Sequence, residues 1–271
     1  MSENLTKFSN FVNDTLMPEA LDVLRDYYQR YLDGKDIDVV VKSDSTPASL
    51  ADRETEKAIR TLIKETYPDH GIIGEEFGKE NETADYVWVL DPLDGTKQFL
   101  AKNPAGFGCL IGLLYKGKPL LGCLGDFISE QGQVTISNPV ETTSHSIELA
   151  RIACTTVDGM FPDPLENHAV NVIKGRAKSF SEDLNCMAFK HLTEGALDAV
   201  IEQDLAIYDI APLLPILFEA GITCITLNGQ HWENLVFDVN ANLNTKYGII
   251  AANNQQLALD ILKTYKDGVT A

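Results

Sequence analysis

The feature that most constrains this chain is that its apolar runs end in carboxylates. Gly71-Ile72-Ile73-Gly74 leads into Glu75 and Glu76, Tyr86-Val87-Trp88-Val89-Leu90 leads into Asp91-Pro92-Leu93-Asp94, and Asp209 opens the apolar run from Ile210 to Ala220. Short runs of this kind suit buried strands. A strand that delivers Asp as its last residue sets the carboxylate at an edge of the core, partly desolvated and exposed to like charge. Acids gathered there need cations. Taken singly, Asp209 also reads as a helix cap and Asp91 to Thr96 as a turn closed by an Asx bond. The donor set narrows the ion: it is all oxygen, with no Cys motif and only His70 nearby, which suits Mg²⁺, with Mn²⁺ as a substitute, and argues against zinc or copper. His70, on the turn before a strand, reads as a surface or capping residue.

Gly95 and Thr96 supply the other half of the chemistry. Gly95 lets the backbone approach a ligand closely, and Gly95-Thr96-Lys97-Gln98-Phe99 can open a short helix whose free N–H groups bind a phosphate. An anion beside cations, with a hydroxyl and a carboxylate to position water, amounts to hydrolysis of a phosphomonoester. No Walker lysine loop, GxGxxG turn or GxSxG elbow competes with this reading. Paired carboxylates could serve a glycosidase, but the glycine cradle and the surplus of acids fit a cation cluster better. Two further classes stay open: a metal-binding protein without catalysis, and a fold in which the acids are only caps.

The rest of the chain describes a frame for such a site. Hydrophobic residues make up 44% of the 271, enough for a sizeable core. Leu5 to Leu32 has helical spacing with a kink or break allowed at Pro18. Ile37 to Lys42 is strand-like, and Ser49 to Tyr67 reads as an amphipathic helix ended by Tyr67-Pro68-Asp69. Phe107 to Tyr115 and Pro119 to Ile128 form a hairpin through Lys116-Gly117-Lys118, with Gln131 to Ile136 as a third strand. The second half alternates strand and helix: Arg151 to Cys154, Pro164 to Ile173, Ala177 to Phe180, Asp183 to Thr193, Leu197 to Ile201, Ile210 to Ala220 and Ile222 to Leu227. That order predicts βαβ units and a second sheet. The expectation is a mixed α/β (α+β) protein of two packed lobes, 1–140 with an antiparallel sheet and most of the metal ligands, and 141–271 of α/β type with Asp209 and the residues that select substrate.

Composition excludes some partners. A formal charge of −18 repels a phosphate backbone, so nucleic acid is not expected. No apolar stretch reaches the roughly 18–20 residues that span a bilayer, and the opening residues lack the basic and apolar parts of a signal peptide. A cytoplasmic protein is expected. The five cysteines are scattered among apolar neighbours and read as core residues.

Three motifs carry a resemblance. Gly74-Glu75-Glu76, Trp88-Val89-Leu90-Asp91-Pro92-Leu93-Asp94-Gly95-Thr96, and Tyr208-Asp209-Ile210-Ala211-Pro212 before Glu219-Ala220-Gly221 together resemble the lithium-sensitive, magnesium-dependent phosphatases typified by inositol monophosphatase. The resemblance extends over most of residues 37 to 227, including Lys42 to Asp52. It implies a layered α-β-α-β-α sandwich, a homodimer, and two or three Mg²⁺ ions. Glu75, Asp91 and the Leu93 carbonyl would hold one ion and Asp91, Asp94 and Asp209 a second. Glu75 with Thr96 would orient and deprotonate water, with Asp52 just behind, and the Gly95 and Thr96 N–H groups would take phosphate oxygens. Glu76 is expected one layer further out. Within the family, Tyr67 to Gly78, Phe107 to Ile111 and the Tyr208-Asp209 pair are most similar to the histidinol-phosphate phosphatases, a branch with an Asp matching Asp183, which with Asp209 would contact substrate. Glu182 departs from that branch, where a small residue is usual. Asp91 to Phe99 is also close to the 3′-phosphoadenosine phosphatases. The implied substrates are histidinol phosphate or inositol monophosphate, with a 3′(2′),5′-bisphosphate nucleotide as the alternative.

Overall fold

The computed structural model describes residues 2–41, 47–128 and 146–270, and these alternate helical and sheet layers. The first layer is helical. α1 (Ser2–Phe11) passes into α2 (Met17–Leu32) through a π-helical stretch at Val12–Leu16, with Pro18 in the first turn of α2. A proline there gives up an N–H that a helix start does not need, so the chain widens locally instead of breaking. The strand expected from Ile37 shortens to β1 (Val40–Val41), which pairs with β2 (Pro47–Ala48). Lys42 and the residues up to 46 lie outside the described residues. α3 (Leu50–Thr66) begins at Ser49, whose Oγ accepts the Ala51 N–H while the Asp52 carboxylate accepts the Ser49 N–H.

The first sheet follows. Its parts are β3 (Gly71–Gly74), β4 (Gly78–Glu80), β5 (Tyr86–Asp94), then α4 (Thr96–Leu100), β6 (Gly108–Tyr115) and β7 (Lys118–Asp126), in the order β4-β3-β5-β6-β7. All neighbours are antiparallel except β3 and β5, because β4 doubles back along the outer edge of β3 and the chain re-enters on its other side in the same direction. β5 does not stop at Asp91. Its pairing with β6 continues to Asp94 across an irregularity at Pro92, which has no N–H for the ladder. The β6–β7 turn takes left-handed conformations at Lys116 and Gly117, φ 51° and 76°, as a tight hairpin requires. The strand expected at Gln131 to Ile136 and the lobe boundary near residue 140 lie outside the described residues.

The second half contains β8 (Arg151–Ala153), α5 (Val157–Met160), α6 (Pro164–Arg176), β9 (Ser179–Ser181), α7 (Cys186–Thr193), β10 (Ala199–Leu205), α8 (Ile207–Ile210), α9 (Leu213–Glu219), β11 (Thr223–Ile225), β12 (Tyr247–Ala252) and α10 (Gln255–Val269). The sheet order is β11-β12-β10-β8-β9, parallel around β8 and antiparallel around β12. α7 starts later than its apolar pattern suggests, because Asp183 and Asn185 are both left-handed (φ 65° and 48°). The helix expected at Ile210 to Ala220 is split into α8 and α9 around Pro212.

Three apolar clusters set the layers. Phe8, Leu24, Ile59 and Trp88 join α1–α3 to the outer face of the first sheet. Val89, Leu110, Phe189, Ile210, Leu214 and Val200 bury α7–α9 between the sheets. Ile152, Val170, Ile201, Ile250 and Ile261 join α6 and α10 to the far face of the second sheet. The fold is the expected α-β-α-β-α sandwich. All five cysteines are buried and unpaired. His70 is not a surface cap: it stacks on Tyr67 and Tyr86 at 4.7 and 5.0 Å, and its Nδ1 accepts the Trp88 indole N–H at 3.1 Å. Burial lowers its pKa, which keeps that nitrogen free to accept.

One contact joins the first sheet to the segment carrying Asp209. Gly112 and Gly122 face each other across β6 and β7, and Pro212 rests on the flat spot they make. A Cβ at Gly122 would stand 1.8 Å from the Pro212 carbonyl oxygen. Backbone cannot yield as a side chain end would, so Gly122→Ala is expected to lower stability by about 1–3 kcal/mol. Urea unfolding checks this; an unchanged midpoint would show that Pro212 does not need the bare strands.

Candidate active site

Three carboxylates from two distant parts of the chain meet, Asp91 and Asp94 from one strand and Asp209 from a helix far along the sequence. Oxygens of Asp91, Asp94 and Asp209 all lie within 4.8 Å of one another, Asp91 buried and the other two half-buried. β5 delivers the first two, and the short α8 delivers the third. At that separation and an effective dielectric of about 20, each charged pair repels by about 3–4 kcal/mol. Three such pairs approach the whole stability of an ordinary domain. The protein alone therefore cannot hold all three ionised cheaply.

The titration of these groups follows. Burial, and then the charges of Glu75, Asp94 and Asp209, hold Asp91 well above the usual carboxylate range. Burial and Asp94 push Asp209 up to about 7, opposed by the Ala206 N–H it accepts at 2.6 Å and by a hydrogen bond with Asp91. Burial also raises Asp94, although its Oδ2 accepts the Cys186 N–H. The left-handed Asn185 turns that N–H toward Asp94.

The remaining expected residues lie around this group. Glu75 follows β3, its N–H donating to the Leu90 carbonyl at 3.1 Å, and its charge reaches Asp91. Asp52, wholly buried, accepts the Ser49 N–H and hydroxyl at 2.8 and 2.7 Å and faces Thr96 Oγ1 at 2.9 Å. The Thr96 hydroxyl also lies 3.2 Å from the Leu93 carbonyl oxygen, and its one proton can go to only one of them. Gly95 is left-handed (φ 91°), and a Cβ there would sit 2.5 Å from the Gly106 carbonyl oxygen. Asn185 Nδ2 donates to that same carbonyl at 2.7 Å. Asp183 is exposed, its carbonyl beside Gly106 and its N–H on the Thr155 carbonyl. Glu182 turns to other work: it pairs with Lys174 and accepts the Val157 N–H at 3.1 Å.

Glu202 is a further buried acid that was not foreseen. It accepts the Thr155 N–H at 2.6 Å, and burial raises its pKa to about 8, with the charge of Asp94 contributing. Ala199-Val200-Ile201-Glu202 is one more apolar run ending in an acid, so the rule that found Asp91 applies here too. A cavity of about 760 Å³ lies elsewhere, lined by Gln203, Trp232, Phe237, Tyr247, Tyr265 and Lys266, and includes none of these carboxylates.

Comparison with known proteins follows the same line. The chain matches the model of the inositol monophosphatase family over residues 4–268. It is 33% identical over 265 residues to a chloroplastic bifunctional phosphatase of Arabidopsis thaliana, covering 93% of this chain and 73% of that protein. It is 28% identical over 247 residues to a histidinol-phosphatase of Chlorobaculum parvum, covering 88% and 90%. Among solved structures, an inositol monophosphatase from Zymomonas mobilis superposes with a TM-score of 0.75 at 26% identity, covering 96% of this chain and 98% of that one. The extragenic suppressor protein suhB of Bartonella henselae reaches 0.79 at 22% identity, covering 97% and 99%, a likeness of fold. Fold and relatives together define a phosphoric monoester hydrolase. The chain belongs to the inositol monophosphatase family.

The raised carboxyl groups set a pH dependence. Without a cation, each binds a proton in the folded protein where the unfolded chain has released it. The stability this confers is fully present below the ordinary value of 3.8 and is lost as pH rises through about 7 for Asp209. A cation must displace those protons. The saturable rise in Tm on adding MgCl₂, against KCl of equal ionic strength, is therefore expected to be small at pH 5 and full above about pH 7. A rise independent of pH over this range would show that these acids do not hold the ion.

Proposed function

We propose that the protein is a Mg²⁺-dependent phosphomonoesterase acting on a small soluble phosphate ester, histidinol phosphate or inositol monophosphate, by attack of water. The observation that carries this reading is the convergence of Asp91, Asp94 and Asp209 oxygens within 4.8 Å. The donor set fits the ion: it is all carboxylate, and the Leu93 carbonyl, 3.2 Å from Thr96 Oγ1, is a further oxygen on the same strand. Asp91, Asp94 and Asp209, with Glu75 and the Leu93 carbonyl, would hold two or three ions, Mn²⁺ substituting. When bound, Mg²⁺ supplies positive charge that offsets the acids and the phosphate and eases loss of a proton from water.

The chain's own residues do the rest. Asp52, fixed by Ser49, accepts the hydrogen bond from the Thr96 hydroxyl, which leaves the lone pairs of Thr96 Oγ1 to accept from the attacking water. Glu75 accepts the other proton of that water as its oxygen bonds phosphorus and the ester P–O bond breaks, and the departing alkoxide takes a proton from solvent water to leave as the alcohol. Left-handed Gly95 opens α4 so that its own N–H and that of Thr96 face the phosphate oxygens. Asp209 and the exposed Asp183, beside the Gly95–Gly106 contact, would meet the alcohol part of the ester. An amine or imidazole there would form a charge-assisted bond to Asp183, which favours histidinol phosphate. The relative named histidinol-phosphatase supports the same choice. The run Asp91 to Phe99 keeps a 3′(2′),5′-bisphosphate nucleotide as the second reading. The cytoplasmic homodimer belongs to this proposal too; among the described residues no helix is long and apolar enough to cross a membrane.

Turnover of histidinol phosphate, inositol 1-phosphate, 3′-phosphoadenosine 5′-phosphate and fructose 1,6-bisphosphate in Mg²⁺ ranks these substrates. Asp91→Asn and Asp209→Asn each remove a charge from the shared site and are expected to cost more than the roughly 10- to 100-fold typical of outer partners. Near-full turnover in either variant would sink the hydrolytic reading, and binding of Mg²⁺ and phosphate without hydrolysis across the panel would favour a non-catalytic metal-binding protein. Asp183→Asn is expected to lower kcat/KM for histidinol phosphate about tenfold while sparing inositol 1-phosphate. Equal losses on both would remove Asp183 from substrate recognition.

A further inference from the structure

One turn beyond Asp52 on α3, a second carboxylate grips the other arm of the site. Glu56 has no exposed surface. Its Oε2 accepts the Glu76 N–H at 2.7 Å, and its Oε1 accepts the Phe77 N–H at 3.2 Å and Arg60 Nε at 2.7 Å. Arg60 Nη2 donates to the Gly78 carbonyl, and Arg60 Nη1 lies 3.6 Å from Glu80. The bonds from the Glu76 and Phe77 N–H groups hold the turn between β3 and β4, whose first residue is Glu75, and the Arg60 bond to Gly78 holds the start of β4. The fit leaves no slack: a Cβ at Gly74 would stand 2.1 Å from Glu56 Oε1.

Residues four apart share a helix face, so one face of α3 holds Thr96 through Asp52 and the Glu75 turn through Glu56. A buried ion pair is a weak source of stability, since apolar packing often serves as well. What hydrocarbon could not do is accept two consecutive backbone N–H groups and so set the direction in which Glu75 leaves the strand. We infer that Glu56, braced by Arg60, is a positioning residue for Glu75, and through it for cation binding. This rests on the reading of Glu75 as a metal ligand.

The test is calorimetric titration of Mg²⁺ alone into the metal-stripped full chain, followed by the Mg²⁺ dependence of turnover. Glu56→Gln keeps the shape but turns an amide NH₂ toward groups that already donate, so at least one bond is lost. The expected result is a folded protein, by circular dichroism, whose Mg²⁺ affinity is weaker by about 10- to 100-fold. The Mg²⁺ concentration for half-maximal turnover rises with it, and kcat at saturating Mg²⁺ falls too, because Glu75 also takes a proton from the attacking water. Glu80→Gln alters a half-exposed side chain that meets Arg60 Nη1 and Lys64, and is expected to leave the affinity within about twofold. A folded Glu56→Gln with wild-type affinity overturns the inference. Should that variant fail to fold, Arg60→Lys, which keeps the charge but loses the bond to Gly78, decides: a loss of about threefold or more supports the brace and no loss overturns it. Wild-type protein with no saturable Mg²⁺ binding would instead overturn the metal reading itself, a separate and recognisable result.

Discussion

Repulsion among carboxylates that share one partly dry space is the constraint on which this structure turns. Asp91, Asp94 and Asp209 are too close to be ionised together without help, and the protein offers only partial relief. The Leu93 N–H bonds Asp91, the Cys186 N–H bonds Asp94 and the Ala206 N–H bonds Asp209. Each acid has a backbone donor, and none has a lysine or arginine in ion-pair contact among the described residues. A site that fixes the orientation of its acids while leaving their charge uncompensated is suited to a divalent ion and a phosphate.

The layered fold is what makes this arrangement possible. The carboxylates stand at strand and helix ends, where the backbone still has free donors, and the middle helical layer brings the two sheets close enough for Asp209 to reach β5. Bare glycines at Gly112 and Gly122 admit Pro212 and so set the depth of that approach. The first sheet lends the site its rigidity through β5, which is buried along nearly its whole length. The turn before α7 leaves Asp183 exposed, the residue proposed to meet the alcohol part of the ester.

Much of this was legible before any coordinates. Apolar runs ending in Asp or Glu announced the edge of a core, and three of those acids form a group that could hold a metal ion. The β6–β7 hairpin and the alternation of strands and helices after residue 150 stand where the sequence pattern placed them. Less legible were features set by distant partners. Nothing local marks His70 as an acceptor for Trp88, because the aromatic group that surrounds it comes from three separate elements. The late start of α7 depends on left-handed residues that periodicity cannot see. β12 and α10 were not foreseen, and the parallel pairing of β3 with β5 follows from where β4 lies, which is a matter of topology. Glu202 was missed although its run obeyed the same rule as Asp91, and Glu56 was missed because a helix-face acid normally means solvent.

The account stands or falls on where the cation sits. Crystals grown with Mn²⁺ and measured at a wavelength where manganese scatters anomalously would locate the ion directly. Anomalous peaks bounded by Asp91, Asp94 and Asp209, with one adjoining Glu75, are the result expected. Ordered manganese elsewhere with none among these carboxylates would contradict the account at its centre.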